Sequence, residues 1–346
     1  MTGVGLIGAG AVVQTIHLPT LARLSEEFTI RTVMDTDPAT AQAVAARVGA
    51  QASTDLEDVL NDESIEVVAI CSPPEFHAEQ TVAALRAGKR AVLCEKPLAT
   101  SHDELRDIAE ALAETGGLLV VGAMHVFDPA WTEIRPRLGE LVRSARTVRS
   151  SIVLPFNDRY ESRASHLLPR QPMSMPDASD PAVRQAFLNA AVLGLAVHDL
   201  PLVHELIGRP GTDAEIVSAE FLEPFGYVIG IRAGQTLVEV SGLMQPHWKP
   251  LWELEAVSAE EVLHVEFTPS FVPAGSATAT ITGAQGAFSV GNRPTNGYEA
   301  EWRRLAQALQ GQTDAVPSSA DVLADAEFVV HVADRATALL GEQVPA

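Results

Sequence analysis

Lysine is scarce in this chain: Lys89, Lys96 and Lys249 are the only three among 346 residues. Cysteine is scarcer still. Cys71 and Cys94 each end an apolar, strand-like run, which fits a reducing compartment and small buried hydrophobes better than a disulfide framework or a cysteine-built metal site. No stretch of about 18 apolar residues occurs that would span a bilayer, so no membrane partner is expected. The opening residues MTGVGLIGAG carry no basic n-region and run straight into a strand and a glycine turn, so no secretory leader is expected and the expected location is cytoplasmic. Basic charge is also short. With 24 Lys+Arg against 45 Asp+Glu the net charge is −21, which repels a polyanion at long range and excludes non-specific nucleic-acid binding.

What is present is an ordinary globular composition, 47% hydrophobic and 20% charged, on a chain about twice the length of one typical domain. Through residue 124 short β-branched runs (3–8, 28–34, 67–71, 90–94, 118–123) alternate with amphipathic helices (12–23, 38–48, 75–87, 101–115), the pattern of a parallel sheet covered on both faces. Asp37-Pro38 reads as an N-cap with proline at the first helical position, Ser101 with Glu104 as a capping box, and Gly88 as a C-cap. Residues 155–190 are rich in Pro, Arg, Ser and Met with weak periodicity and read as a lid or long loop. A helix over 184–207 follows, then seven consecutive strands between 214 and 290 with hairpin-length joints, and helices over 297–310 and 318–340. The expected fold is therefore an α/β Rossmann domain with a doubly wound parallel sheet over 1–124, and an α+β domain with a large, mostly antiparallel open sheet over 125–346.

Three motifs carry chemistry. Gly8-Ala9-Gly10-Ala11-Val12 follows the first strand and opens a helix: Gly8 permits a tight turn, and Gly10 lets backbone approach a pyrophosphate that sits on the helix N-terminus. Val13 stands where the fingerprint usually has its third glycine. Asp35 ends the second strand 25 residues after Gly10, where a carboxylate accepts hydrogen bonds from a ribose diol and repels a 2′-phosphate, favouring NAD over NADP. Ser72-Pro73-Pro74-Glu75-Phe76-His77 lies at the carboxyl edge of the sheet, where nucleotides bind; its bland reading is a proline-defined helix start capped by Ser72. Cys94-Glu95-Lys96-Pro97 ends the fifth strand. A lysine beside a nicotinamide shuttles the proton of a carbinol once desolvation lowers its pKa, and Lys96 is one of few lysines in an arginine-using chain.

Gly8-x-Gly10 with His17 and Pro19 downstream, Ser72-Pro73-x-x-x-His77, and Glu95-Lys96-Pro97 resemble the family of glucose-fructose oxidoreductase and inositol dehydrogenase (Gfo/Idh/MocA). The late antiparallel sheet and the Tyr298-x-x-Glu301 helix start fit the same pattern. The resemblance implies a nicotinamide-dependent dehydrogenase or reductase of sugars and cyclitols, with Lys96 acting on the substrate hydroxyl or carbonyl. It also implies a homodimer or homotetramer joined through the face of the large sheet. Ser72, Pro73, His77 and Glu95 join Gly8, Gly10, Ala11, Val12, Asp35 and Lys96 as expected cofactor residues; no metal is called for.

The departures bear on the chemistry. Where the family has an Asp four residues before a catalytic His on one helix, this chain has Gly194 and His198, and Pro201 replaces a later acidic position. His198 is thus either an acid/base with Lys96, a substrate hydrogen-bonder, or a buried structural histidine. Asp199 does not substitute simply for the missing carboxylate, because adjacent helical side chains point about 100° apart. His125 stands where the family often carries a basic residue, and is expected to contact substrate. His204 reads as packing or surface. Residues 143–170 hold six arginines: these either neutralise an acidic neighbourhood or form a lid that clamps an anionic substrate through Arg159, Arg163, Arg170 or His166. The leading expectation is hydride transfer between NAD and a secondary alcohol or ketone of a sugar, cyclitol or related polyol. The rivals are an enzyme that retains NAD and uses transient oxidation for elimination, epimerisation or glycoside cleavage, and a nucleotide-binding protein that has lost chemistry.

Overall fold

The computed structural model describes residues 1–157, 160–161, 165, 167–168, 177–209, 213–245, 249–272 and 274–342. Two compact units are present. The first comprises Met1–Ala123 with Tyr298–Ala326 and the described part of 160–170; the second comprises Met124 onward to Gly297, less that stretch, and the end of the chain from Glu327.

The first unit is built on a six-stranded sheet of β1 (Thr2–Ile7), β2 (Phe28–Met34), β3 (Gln51–Ser53), β4 (Val67–Ile70), β5 (Ala91–Glu95) and β6 (Leu118–Gly122). Its order is β3-β2-β1-β4-β5-β6 and every pairing is parallel. All residues of β4 and β5 are buried, as continuous apolar runs must be when helices cover both faces. Because β1 pairs with both β2 and β4, successive connections leave it in opposite directions, and the carboxyl ends of β1 and β4 flank the crevice where such sheets take ligands. Asp37 caps the helix Pro38–Val48 through Ala39 N and Thr40 N. The Ser101 cap forms as expected, but Glu104 returns its bond to Thr100 N, at 2.7 Å, instead of to the Ser101 amide. The helix expected over 12–23 begins as a widened π turn, Val13–His17, before Leu18–Arg23; Pro19 has no N–H to give the Thr15 carbonyl.

The second unit carries an eight-stranded sheet of β7 (Thr147–Leu154), β8 (Glu215–Leu222), β9 (Gly226–Ala233), β10 (Thr236–Met244), β11 (Leu251–Val257), β12 (Glu261–Glu266), β13 (Thr278–Gly283) and β14 (Gly286–Val290). The order is β14-β13-β12-β11-β7-β10-β9-β8, antiparallel throughout except for the central β7–β10 pair. β7 is absent from the sequence expectation. Its inward positions, Val148, Ser150, Ile152 and Leu154, are buried, but one of them is a serine and the apolar Val153 lies on the outward side, which blurs the alternation. The single helix expected over 184–207 is broken: Pro181–Gly194 ends at Leu195, Ala196–His198 forms a 3-10 turn, and Leu200–Leu206 starts a new helix. Pro201 lacks the N–H that would bond the Val197 carbonyl, so a continuous helix cannot pass it. Among the described residues no single helix is long and apolar enough to cross a membrane.

Candidate active site

In the first unit the chemistry gathers at the carboxyl ends of β1, β2, β4 and β5. Gly8 has φ +89°, and a Cβ there would lie 2.6 Å from the Cys71 carbonyl oxygen, so the crossing of the first turn over β4 admits glycine alone. Gly10 differs: it is exposed and a Cβ on it meets nothing within 4 Å. The backbone there is open to an incoming group. Asp35 braces this turn, accepting from Ala9 N at 2.8 Å through Oδ2 and from Asp37 N at 3.0 Å through Oδ1. Each oxygen keeps a lone pair for a further donor, as a ribose diol requires. Gln14 adds a second brace, donating to the Ala9 carbonyl at 2.8 Å. An open glycine turn with a carboxylate beside it fits a dinucleotide whose pyrophosphate lies against Gly10, Ala11 and Val12.

At the end of β4, Ser72 is not the helix cap that its bland reading proposes: its hydroxyl donates to Gln80 Oε1 at 2.7 Å, and Pro73 occupies the cap position. His77 is buried and lies between two carbonyls, Pro97 O at 2.7 Å from Nδ1 and Ser72 O at 2.8 Å from Nε2. It ties the two strand-end loops together. Glu95 is buried at the end of β5 and accepts from His17 Nε2 at 3.0 Å, while Trp302 Nε1 donates to His17 Nδ1 at 3.1 Å. His17 is thereby the Nε2–H tautomer. Burial opposes the charge of Glu95, but the His17 hydrogen bond prevails and its carboxyl sits below the usual range. Glu301 lies close to Glu95, fully buried, and neither of its oxygens finds a hydrogen-bond partner among the described residues.

Lys96 follows Glu95. Burial pushes its amine below the ordinary lysine range, against the pull of Glu95. The other two lysines are engaged elsewhere: Lys89 donates to the carbonyls of Asp62 and Ile65 at 2.8 and 3.0 Å, and Lys249 lies 3.6 Å from Glu266.

In the second unit two candidate histidines, His125 and His198, lie together, a proximity that the sequence did not announce. His198 lies on the 3-10 turn, 5.9 Å between ring centroids from His125 and 5.4 Å from Trp252. His125, on the turn Met124–Phe127, gives Nδ1 to Asp199 Oδ1 at 2.7 Å. Asp199 is fully buried, and its Oδ2 also accepts from Ser150 Oγ at 2.6 Å and Trp252 Nε1 at 2.8 Å. Asp199 therefore serves His125, its neighbour in space, and not His198, its neighbour in sequence. At position 194 a Cβ would meet nothing within 4 Å, so packing does not demand a glycine there. His204 stacks on Phe328 at 4.4 Å, a packing role.

Arg159, Arg163, His166 and Arg170 lie outside the described residues. Three other arginines of that segment pair with polar neighbours: Arg143 with Glu140 at 2.7 Å, Arg149 with Glu255 at 3.6 Å, and Arg146 with Gln235. Arg143 and Arg149 thus meet carboxylates, whereas the partner of Arg146 is a neutral amide. The positions that sequence reasoning missed are Asp199, Ser150 and Trp252, which lie on three elements about 50 residues apart. Only the Pro201 that breaks the helix hinted that Asp199 would turn away.

Residues 2–123 match the model of a family described as oxidoreductases with an NAD-binding Rossmann fold, GFO_IDH_MocA. An inositol 2-dehydrogenase of Saccharopolyspora erythraea is 33% identical over 222 residues, 64% of this chain and 56% of the relative. The chain thus spans a little over half the length of the curated relatives it matches. A 3-ketoreductase from Actinomadura kijaniata, solved with NADP, superposes with TM-score 0.68 at 20% identity, over 96% of this chain and 95% of that one. UDP-N-acetylglucosamine 3-dehydrogenase from Acidithiobacillus ferrooxidans does so with TM-score 0.70 at 18% identity, over 98% of each. At these identities the likeness is one of fold.

Proposed function

We propose that this chain, a member of the Gfo/Idh/MocA oxidoreductase family through its residues 2–123, oxidises a secondary alcohol of a sugar, cyclitol or related polyol to a ketone, or reduces the ketone, with NAD. The observation that carries the reading is the half-buried Lys96 just past the end of β5, an amine that its partial desolvation makes easier to deprotonate. As a neutral amine Lys96 takes the proton of the substrate O–H; as an ammonium it returns that proton to the ketone oxygen. A bound nicotinamide supplies or accepts the hydride. Gly8, Gly10, Ala11 and Val12 hold the pyrophosphate, Asp35 the ribose diol, and Ser72, Pro73, His77, Glu95 and Lys96 shape the nicotinamide end. Asp35 would also select NAD, since a carboxylate beside the ribose repels a 2′-phosphate. His198 assists as acid/base or orienter, and His125, Arg159 and Arg163 contact substrate. A homodimer or homotetramer in the cytoplasm completes the proposal.

The test is calorimetric titration with NAD(H) and NADP(H), followed by turnover of a panel of neutral polyols and sugar acids by the wild type and Lys96→Ala. NAD(H) is expected to bind the tighter. Lys96→Ala is expected to lose about 10²- to 10⁴-fold in kcat with dinucleotide affinity kept within a few-fold. Failure to bind either dinucleotide, or undiminished turnover by the variant, refutes the proposal; turnover without net NADH formation moves it to the NAD-retaining class.

A further inference from the structure

Three groups meet Asp199: Trp252 Nε1, which can only donate, Ser150 Oγ, which donates to Oδ2, and His125 Nδ1, which lies on Oδ1. An aspartate in its ordinary carboxylate form accepts from all three, and so takes an N–H from His125 Nδ1. The consequence falls on His125. With Nδ1 committed as an N–H donor, the neutral ring carries its lone pair on Nε2.

The ring is also held in place. Phe267 stacks on it at 3.8 Å and 13°, Trp252 meets it edge-on at 4.6 Å, and His198 closes one side at 5.9 Å. His125 is 3% exposed, yet its Nε2 takes no hydrogen bond with any described residue. A ring nitrogen of fixed polarity, in a ring this enclosed and with no hydrogen bond from the described residues, is left to accept from a donor that the fold itself does not supply.

We propose that His125 Nε2 accepts a hydrogen bond from a neutral hydroxyl group of the substrate, and that Asp199 is the positioning residue that sets this polarity. The inference rests on the polyol reading above and narrows it. A carboxylate or a carbonyl, having no proton to give, is a poor match at this position, whereas an O–H is a good one. His125 thereby determines specificity for neutral polyhydroxy compounds over sugar acids, and Asp199 acts through it.

The experiment has two readouts on the full chain. The first is the tautomer of His125 by nitrogen-15 NMR of the imidazole, assigned by comparison with His125→Asn. The wild type is expected to show Nδ1–H. In Asp199→Asn the amide oxygen turns toward Ser150 and Trp252, its NH₂ faces His125, and the tautomer reverses to Nε2–H. The second readout is binding and turnover, with NAD(H) present, of neutral cyclitols and aldoses, their mono-deoxy analogues and the matching uronic acids.

His125→Asn keeps a donor toward Asp199 but has nothing at the Nε2 position. It is expected to raise KM for the neutral compounds about tenfold and to erase the preference for one parent compound over its deoxy analogue, with kcat much less affected. Asp199→Asn is expected to weaken the same preference. If Asp199→Asn does not fold, His125→Asn still decides the matter. A wild-type Nε2–H tautomer overturns the dyad. Unchanged discrimination by His125→Asn overturns the substrate contact. A wild type that binds no polyol in the presence of NAD(H) overturns the proposed function and the contact with it, while leaving the tautomer result standing, so the failures are distinguishable.

Discussion

His77 donates from Nδ1 to the carbonyl of Pro97 at 2.7 Å, and its Nε2 faces a second carbonyl, that of Ser72, at 2.8 Å. Two carbonyl acceptors on one ring require both nitrogens to be protonated. Burial works against this charge; the neighbouring Cys94 and the two carbonyls outweigh it, and the pKa is pushed from 6.5 up to about 9. Since the folded value is the higher, the charge stabilises the fold fully below about 6.5, and its contribution fades as pH rises through about 9. At about 1.4 kcal/mol per pH unit the upper bound is about 3 kcal/mol. His77→Gln is expected to be less stable than the wild type at pH 6, with the gap narrowing toward pH 10 in denaturant titrations. A gap independent of pH would mean a neutral His77.

Glu301 runs the opposite way to the carboxylates that usually stabilise folds. Burial, and then the charge of Glu95, push its carboxyl well above the ordinary glutamate value of 4.5, so the folded chain keeps a proton that the unfolded chain releases. Stability therefore falls as pH rises above 4.5, by at most about 1.4 kcal/mol per pH unit for one proton. Glu301→Gln keeps the shape and removes the titration. It is expected to gain on the wild type as pH rises above 4.5, read from urea midpoints at each pH. Parallel curves would place an ionised Glu301 in the fold.

The contrast of His77 and Glu95 with Asp199 explains how much was legible in the sequence. Glu95 is the last residue of buried β5, and His77 opens the helix that follows buried β4 and a short proline turn, so local pattern fixes the address of each. The parallel sheet, the glycine turn and Asp35 were legible for that reason. Ser150, Trp252 and Asp199 meet only because β7 and β11 pair, with Ile152 opposite Trp252, and because the helix breaks at Pro201. β7 itself was hidden by an inward serine and an outward valine. A buried polar network is specified by long-range register, which single-sequence periodicity does not report.

His17 links Trp302 to Glu95, and its removal should be read on the acid side of the stability curve. The folded Glu95 carboxyl lies below its ordinary 4.5, so its contribution is present above about pH 4.5 and lost as pH falls through the lower, folded value. His17→Phe leaves the buried carboxylate without its side-chain donor, with only the long bond from Lys96 N at 3.3 Å remaining among the described residues. A loss of about 3 kcal/mol is expected at pH 7, with less further loss on acidification than in the wild type, measured by chemical denaturation between pH 3 and 7. A wild-type acid profile in the variant would show that His17 does not hold the Glu95 charge.

Gly8 and Gly10 separate folding from cofactor binding within one turn. An alanine at position 8 is strained at φ +89° and drives its methyl to 2.6 Å from the Cys71 carbonyl, a backbone atom that cannot swing aside. Gly8→Ala is therefore expected to lose stability, by about 2 kcal/mol or more, together with dinucleotide affinity. An alanine at position 10 meets nothing within 4 Å, so Gly10→Ala is expected to keep the wild-type Tm. Its methyl nevertheless stands where the pyrophosphate must approach the backbone, and NAD(H) affinity is expected to fall at least tenfold. Thermal melts and calorimetry on the two variants suffice. If Gly10→Ala binds NAD(H) as the wild type does, the dinucleotide does not lie against this turn, and the open backbone at Gly10 serves something else.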